Sequence, residues 1–270
     1  MGPPENDRQF HHNLLVHFAD DPDPKKAGQG LALAPRIQEV LGQVDVSYWE
    51  MSPAEQMAMV YLLDHLRPKV GIEIGTRFGG SLQVLAKYCE RVFSLDIDPE
   101  VPTRLAGKHR NVEYLTGPSS ETLPPLLAQL ALEHAPLGFI LVDGDHSAPG
   151  VKADIDNILR YQPITPLYVI MHDSFNPACR QGLLEANWAA CPYVHAVELD
   201  LVPGTVNPSP AFRDQMWGGL ALGILLPEKR QGRFEITGRA SRTFEHMGQK
   251  KIQRSLGSRL RALVRRVLAR

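Results

Sequence analysis

Five short apolar runs, each closed by turn residues, constrain this chain more than any other feature. They are VGIEIG (70–75), RVFSLDI (91–97), NVEYLTG (111–117), GFILVDG (138–144) and LYVIMHD (167–173). Runs this short, bounded by Gly, Asn and Asp, read as buried strands. Stretches of helical period follow four of them: Leu82, Val84, Leu85 and Tyr88 after the first, and Leu123, Leu126, Leu127 and Leu130 after the third. Ile155, Ile158 and Leu159 follow the fourth, and Leu183, Leu184 and Trp188 the fifth. The link after the second run, DPEVPTRLAGKHR, is short and shows no clear period. Strands alternating with helices bury both faces of a parallel sheet, so the pattern predicts a doubly wound α/β fold. Two further runs, VHAVELDLV (194–202) and GLALGILLP (219–227), are joined by the Pro- and Gly-rich PGTVNPSPAFRDQMWG. That connection predicts a terminal antiparallel hairpin. Ahead of the sheet, PAEQMAMVYLLDHLRP predicts a helix with Ser52 as N-cap and Pro68 as stop.

With 270 residues, 43% of them hydrophobic and 22% charged, the chain buries a sizeable core, which excludes disorder, collagen and coiled coil as descriptions of the whole. Residues 52–228 are the predicted catalytic domain. Residues 1–51 hold the acidic DDPDP cluster and the glycines of KKAGQG, which suit a lid. The N-terminus lacks the pattern of a secretory signal, and no run of about 18 apolar residues spans a membrane. Cys89, Cys179 and Cys191 are too few and too far apart for a disulfide framework or a CxxC metal knuckle. They read as small hydrophobes in a reducing, cytoplasmic compartment.

The formal net charge of -1 argues against a nucleic-acid binder, but it hides an asymmetry. Residues 229–270 carry thirteen Lys and Arg against Glu235 and Glu245. Within them, KKIQRSLGSRLRALVRRVLAR (250–270) places Ile252, Leu256, Leu260, Leu263, Val264, Val267 and Leu268 on one helical face. A basic amphipathic helix of this kind attaches to the inner face of a membrane, to its own acidic domain, or to a second copy in a homo-oligomer.

In an open parallel sheet, ligands bind beyond the carboxyl ends of the strands where strand order reverses. The first strand ends in Glu73, Gly75, Thr76, Arg77, Gly79, Gly80 and Ser81, and the second in Asp96, 21 residues beyond Gly75. Glycines let the backbone approach a ligand, and Gly80 or Ser81 starts a helix. A carboxylate at Asp96 suits ribose hydroxyls. Both an NAD site and an S-adenosylmethionine site fit this outline. Arg77 stands where a dinucleotide site needs its second glycine, and Glu73 puts negative charge toward the crevice, which suits a cationic sulfonium or amino group.

On EIGTRFGGS, SLDIDPE, LTGPSSETLPPL, VDGDHSAPGVKADI and VIMHDS, the chain resembles the class I S-adenosylmethionine-dependent methyltransferases. Within them it is similar to the small-molecule group of macrocin-type sugar O-methyltransferases and cephalosporin-biosynthesis methyltransferase-like proteins, over about residues 52 to 227. The resemblance implies a seven-stranded Rossmann-like sheet with a terminal antiparallel hairpin. It also implies that Glu73, Gly75 and Thr76 line the methionine portion of the cofactor, Asp96 its ribose, and Ser119 the neighbourhood of the adenine.

The fourth strand ends in Asp143, Gly144, Asp145 and His146, and the fifth in His172, Asp173 and Ser174. Neighbouring strands bring these ends together. Asp143, Asp173 and Ser174 with waters suit an octahedral hard cation, Mg²⁺, with His172 either a further ligand or a structural partner of Asp173. Such a cation would hold a substrate hydroxyl as its alkoxide. His146, with an imidazole that titrates near neutral pH, is the expected general base, and metal-dependent relatives place a basic residue three positions after this aspartate. Trp217, Phe212 and Tyr193 read as core packing, with an acceptor-site wall as the alternative. The sequence therefore predicts an O-methyltransferase acting on a sugar or glycosylated small molecule. The alternatives are a nicotinamide-dependent oxidoreductase, disfavoured by the missing glycine and YxxxK pair, and a non-catalytic binding module.

Overall fold

The computed structural model describes residues 37–212 and 215–238. Of the segment 1–51 expected as a lid, residues 1–36 lie outside the described residues, as does the basic helix expected over 250–270. Helix α1 (Pro53–Leu66) leads into β1 (Val70–Ile74), α2 (Leu82–Tyr88), β2 (Arg91–Asp96), α3 (Val101–Arg104), β3 (Val112–Thr116) and α4 (Ser119–Leu132). There follow β4 (Leu137–Val142), α5 (Ala148–Ile158), β5 (Leu167–His172), α6 (Pro177–Glu185), β6 (Val194–Val202), β7 (Thr205–Val206), β8 (Met216–Trp217), β9 (Leu220–Leu225) and β10 (Ile236–Thr237).

The five predicted runs form five parallel strands, and the main sheet runs β10-β6-β9-β5-β4-β1-β2-β3. Strand order reverses at β1, between β2 and β4, which sets the crevice at the carboxyl ends of β1 and β4. Strands β1, β4 and β9 are buried along their whole length, as strands covered on both faces must be. Alternation within them feeds two cores. Ile72, Ile140 and Val169 pack under α4, α5 and α6, whereas Phe139, Leu141 and Ile170 pack under α1, α2 and α3.

Strand β9 pairs antiparallel with both β5 and β6, so the predicted hairpin forms. The sheet has eight strands where seven were expected, because β10 adds a parallel edge to β6 from within the basic segment. The Thr237 hydroxyl fixes it by donating to the Val197 carbonyl at 3.0 Å. The connection read as irregular carries a separate two-stranded ribbon, β7 with β8. Beside it Phe212 and Trp217 meet in a tilted pair at 4.8 Å between ring centroids, neither of them in the core, while Tyr193 packs on the core as expected. Helix α1 starts as predicted: the Ser52 hydroxyl accepts from the Glu55 amide at 3.4 Å, and the Glu55 carboxylate accepts from the Ser52 amide.

Candidate active site

The turn after β1 is built around backbone that side chains disfavour. Gly75 has φ +84°, and a Cβ there would stand 2.1 Å from the Asp143 carbonyl, so glycine is what allows β1 and β4 to end side by side. A Cβ on Gly80 would stand 2.4 Å from the Trp49 Cα, which lets the segment ahead of α1 close over the turn. Asp96 organises the same turn. Its Oδ2 accepts from the amides of Thr76 at 2.8 Å and Arg77 at 2.7 Å, and its Oδ1 from the Asp98 amide at 2.8 Å. A carboxylate has about four acceptor positions, so one remains for a ligand.

Glu73 departs from its expected place. It is fully buried beneath the turn and does not face the cleft. Its Oε2 accepts from the Thr76 hydroxyl at 2.7 Å and its Oε1 from the Ser81 hydroxyl at 2.6 Å. Burial raises its pKa to about 7, against the two hydroxyl bonds that lower it. Ser81 therefore serves Glu73 and makes no capping bond to α2.

These elements enclose a cleft of about 830 Å³, lined by Gly75, Thr76, Ser81, Asp96, Ser119 and Asp143 of the predicted set. Gly79, with φ +80°, shapes the turn without lining it. Asp145 lines the cleft and orders its loop by accepting from the Ser147 amide at 2.8 Å. Asp154 on α5 also lines it, and sequence reasoning missed it. Its side chain is buried and bonded to the Ser119 hydroxyl, Oδ2 has no partner among the described residues, and burial raises its pKa to about 6. The signal was present in the sequence: a carboxylate on the buried face formed by Val151, Ile155 and Ile158.

At the cleft's end, acids and imidazoles alternate. His172 Nδ1 lies 2.9 Å from Asp143 Oδ1, and His146 Nε2 lies 3.2 Å from the same oxygen. His146 Nδ1 is 3.2 Å from Asp173 Oδ2. On the far side, His172 Nε2 is 3.2 Å from Glu55 Oε1. Glu55 is a second residue that sequence reasoning missed as part of the site. Its Oε1 also accepts from the Gly219 amide, so one carboxylate ties the start of α1 to the hairpin and to His172. Burial works against charge here, yet the partners prevail. His172 is raised well above its ordinary value by Asp143 and Glu55 despite desolvation. Asp143 and Glu55 are lowered despite their burial, chiefly by His172. The hydrogen bond to Asp143 raises His146.

The four residues expected to hold Mg²⁺ are thus brought to one corner, but the donors of Asp143, His172 and Asp173 are already engaged. Asp143 Oδ1 takes both imidazoles, and both ring nitrogens of His172 face carboxylates. Asp173 Oδ1 accepts from the Gly218 amide at 2.6 Å, while the Ser174 hydroxyl is fully buried with no hydrogen-bond partner among the described residues. As arranged, this set does not fit a magnesium site. His146 occupies the position between the carboxylates that a hard cation would take.

Residues 72–174, from β1 through the end of β5, match the sequence profile described as a methyltransferase domain. A search of curated proteins gave no match. Among solved structures, the chain is similar to the O-methyltransferase from Bacillus cereus in complex with SAH, at 18% identity and TM-score 0.49, covering 78% of this chain and 96% of that one. It is also similar to cofactor-bound Rv0187 from MTB (20% identity, TM-score 0.46, 85% and 100% covered). A third is the N-methyltransferase NodS from Bradyrhizobium japonicum in complex with S-adenosyl-L-homocysteine (16% identity, TM-score 0.45, 68% and 93% covered). The matched segment contains the turn, Asp96, Asp143, His146 and Asp173; Glu55 and the hairpin lie outside it.

Proposed function

We propose that the chain is an S-adenosylmethionine-dependent O-methyltransferase acting on a hydroxyl of a sugar or glycosylated small molecule, with residues 52–228 as its catalytic domain. The observation that carries this reading is that the glycine turn with Asp96 and the imidazole of His146 open onto one cleft. Asp96 offers its remaining acceptor position to ribose hydroxyls, and Gly75 and Thr76 bring backbone close to the ligand. Ser119 and the unpartnered Asp154 oxygen line the same cleft and serve the adenine. When bound, S-adenosylmethionine supplies an electrophilic methyl group on a sulfonium.

His146 is the base. Its ring is half-exposed, and an acceptor hydroxyl reaches Nδ1 by replacing the contact with Asp173. The hydroxyl proton passes to that nitrogen as the oxygen becomes nucleophilic, and Asp143, still bonded at Nε2, stabilises the imidazolium. Exposed Tyr48 and Phe78, 6.2 Å apart at the cleft mouth, offer aromatic faces to the apolar faces of a sugar ring. No step passes through magnesium, because Asp143 and Asp173 already compensate His146.

Methyl-labelled cofactor incubated with a panel of sugars and glycosides tests the proposal. Label on acceptor oxygens is the expected outcome. Transfer confined to nitrogen acceptors would remove the O-specificity, and activity abolished by exhaustive chelation would restore a metal to the mechanism.

A further inference from the structure

Beside His146 and Asp173 stands a thiol, that of Cys179, which the methyl-transfer chemistry leaves unused. His146 follows β4, Asp173 follows β5 in a left-handed conformation at φ +55°, and Cys179 lies in the first turn of α6. An imidazole nitrogen, a carboxylate oxygen and a thiol from these three lie within 4.8 Å of one another. We propose that they form a site for a thiophilic divalent transition-metal ion of the Zn²⁺ class, and that its occupation switches the enzyme off by taking the nitrogen of His146.

Three features support the assignment. The His146 Nδ1 to Asp173 Oδ2 separation is 3.2 Å, close to the edge of a tetrahedron with metal–ligand bonds of about 2.0 Å. One sulfur, one nitrogen and one oxygen donor favour zinc-like ions over magnesium, and the half-exposed face of His146 leaves a fourth position toward the cleft. The outer partners are those of metal sites. Asp143 accepts at the other ring nitrogen of His146, and the Gly218 amide holds the second oxygen of Asp173.

Charge acts in the same direction. Asp143, Asp145 and Asp173 set a negative field at the Cys179 thiol, which favours a cation there. On binding, Cys179 releases its thiol proton and His146 its Nδ1 proton to solvent, and the metal forms bonds to sulfur, nitrogen and oxygen without redox change. Cys89 and Cys191 are buried elsewhere and take no part.

The binding half is independent of the methyltransferase reading; only the inhibition rests on it. Cobalt(II) is the probe, since a thiolate ligand gives it a near-ultraviolet charge-transfer band. Titration of the reduced, chelator-treated full chain with Co²⁺ is expected to give this band, saturating at one ion per chain and lost on adding Zn²⁺. Cys179→Ser and Cys179→Ala should abolish it, Cys191→Ser should keep it, and Asp143→Ala should weaken Co²⁺ binding about 10–100-fold. Absence of the band, or a band undiminished in both Cys179 variants, overturns the site. Zn²⁺ at saturating stoichiometry should stop methyl transfer in the parent and spare Cys179→Ser; equal activity with and without Zn²⁺ in the parent overturns the switch. Should no acceptor be methylated at all, the band still decides the site.

Discussion

His146 and Glu73 illustrate how burial and partners divide the work among individual residues. His146 is raised by its bond to Asp143, so the neutral base forms only above the ordinary histidine value of 6.5. The acidic limb of the kcat profile is therefore expected above that pH, and His146→Ala should lower kcat about 10²–10⁴-fold while leaving cofactor binding intact. Wild-type turnover in that variant would remove His146 as base. Glu73 carries a different pH signature. Its folded pKa of about 7 lies above its ordinary 4.5, so its proton is held more tightly in the folded chain. That stabilisation is complete below 4.5 and is lost as pH rises through 7, a change of about 3 kcal/mol. Urea melts from pH 5 to 8 should show the parent losing stability relative to Glu73→Gln; parallel curves would contradict the assignment. Both residues were identifiable in the sequence, but the burial of Glu73 away from the cleft was not. Strand alternation placed Glu73 at the turn, whereas the direction of its side chain depended on Thr76 and Ser81 offering hydroxyls from beneath.

Elements explain why Glu55 stayed hidden. In the sequence, Ser52 and Glu55 form a capping box, and that local role accounts fully for the glutamate. Only the fold shows the same carboxylate reaching the Gly219 amide and His172. Glu55→Gln keeps an oxygen for the cap but removes charge from His172, whose pKa should fall. With less charge on His172, less opposes the charge on His146, so the acidic limb of the activity profile should move to higher pH. A purely structural cap would leave that limb in place, which a pH–rate profile resolves. The same scale accounts for the other differences. Long, strongly periodic segments were legible: β1 to β5, α4, α5 and the β6–β9 pairing all lie where the apolar pattern put them. Two-residue strands such as β7, β8 and β10, and the four-residue α3, are too short to carry a period, and tertiary pairing decides them.

Across the molecule, the order of the strands decides where chemistry is possible. Reversal at β1 gathers Gly75, Asp96, Asp143 and His146 around one cleft, although they span 72 positions of the chain from first to last. This convergence was readable in advance, because strand ends in a doubly wound sheet share one edge. The donor geometry was not, since residue types alone cannot tell a carboxylate facing an ion from one already bonded to two imidazoles. The acidic character of the central domain likewise has a local source, with Asp96, Asp143, Asp145 and Asp154 all on the cleft wall. Among the described residues, no helix is long and apolar enough to cross a membrane. The central claim is that this cleft takes a methyl-donor nucleoside and not a dinucleotide. Isothermal titration with S-adenosylmethionine, S-adenosylhomocysteine and NAD tests it most directly: saturable binding of the first two, weakened by Asp96→Ala, with no heat from NAD is the predicted result, and binding of NAD without either of the others would contradict the account.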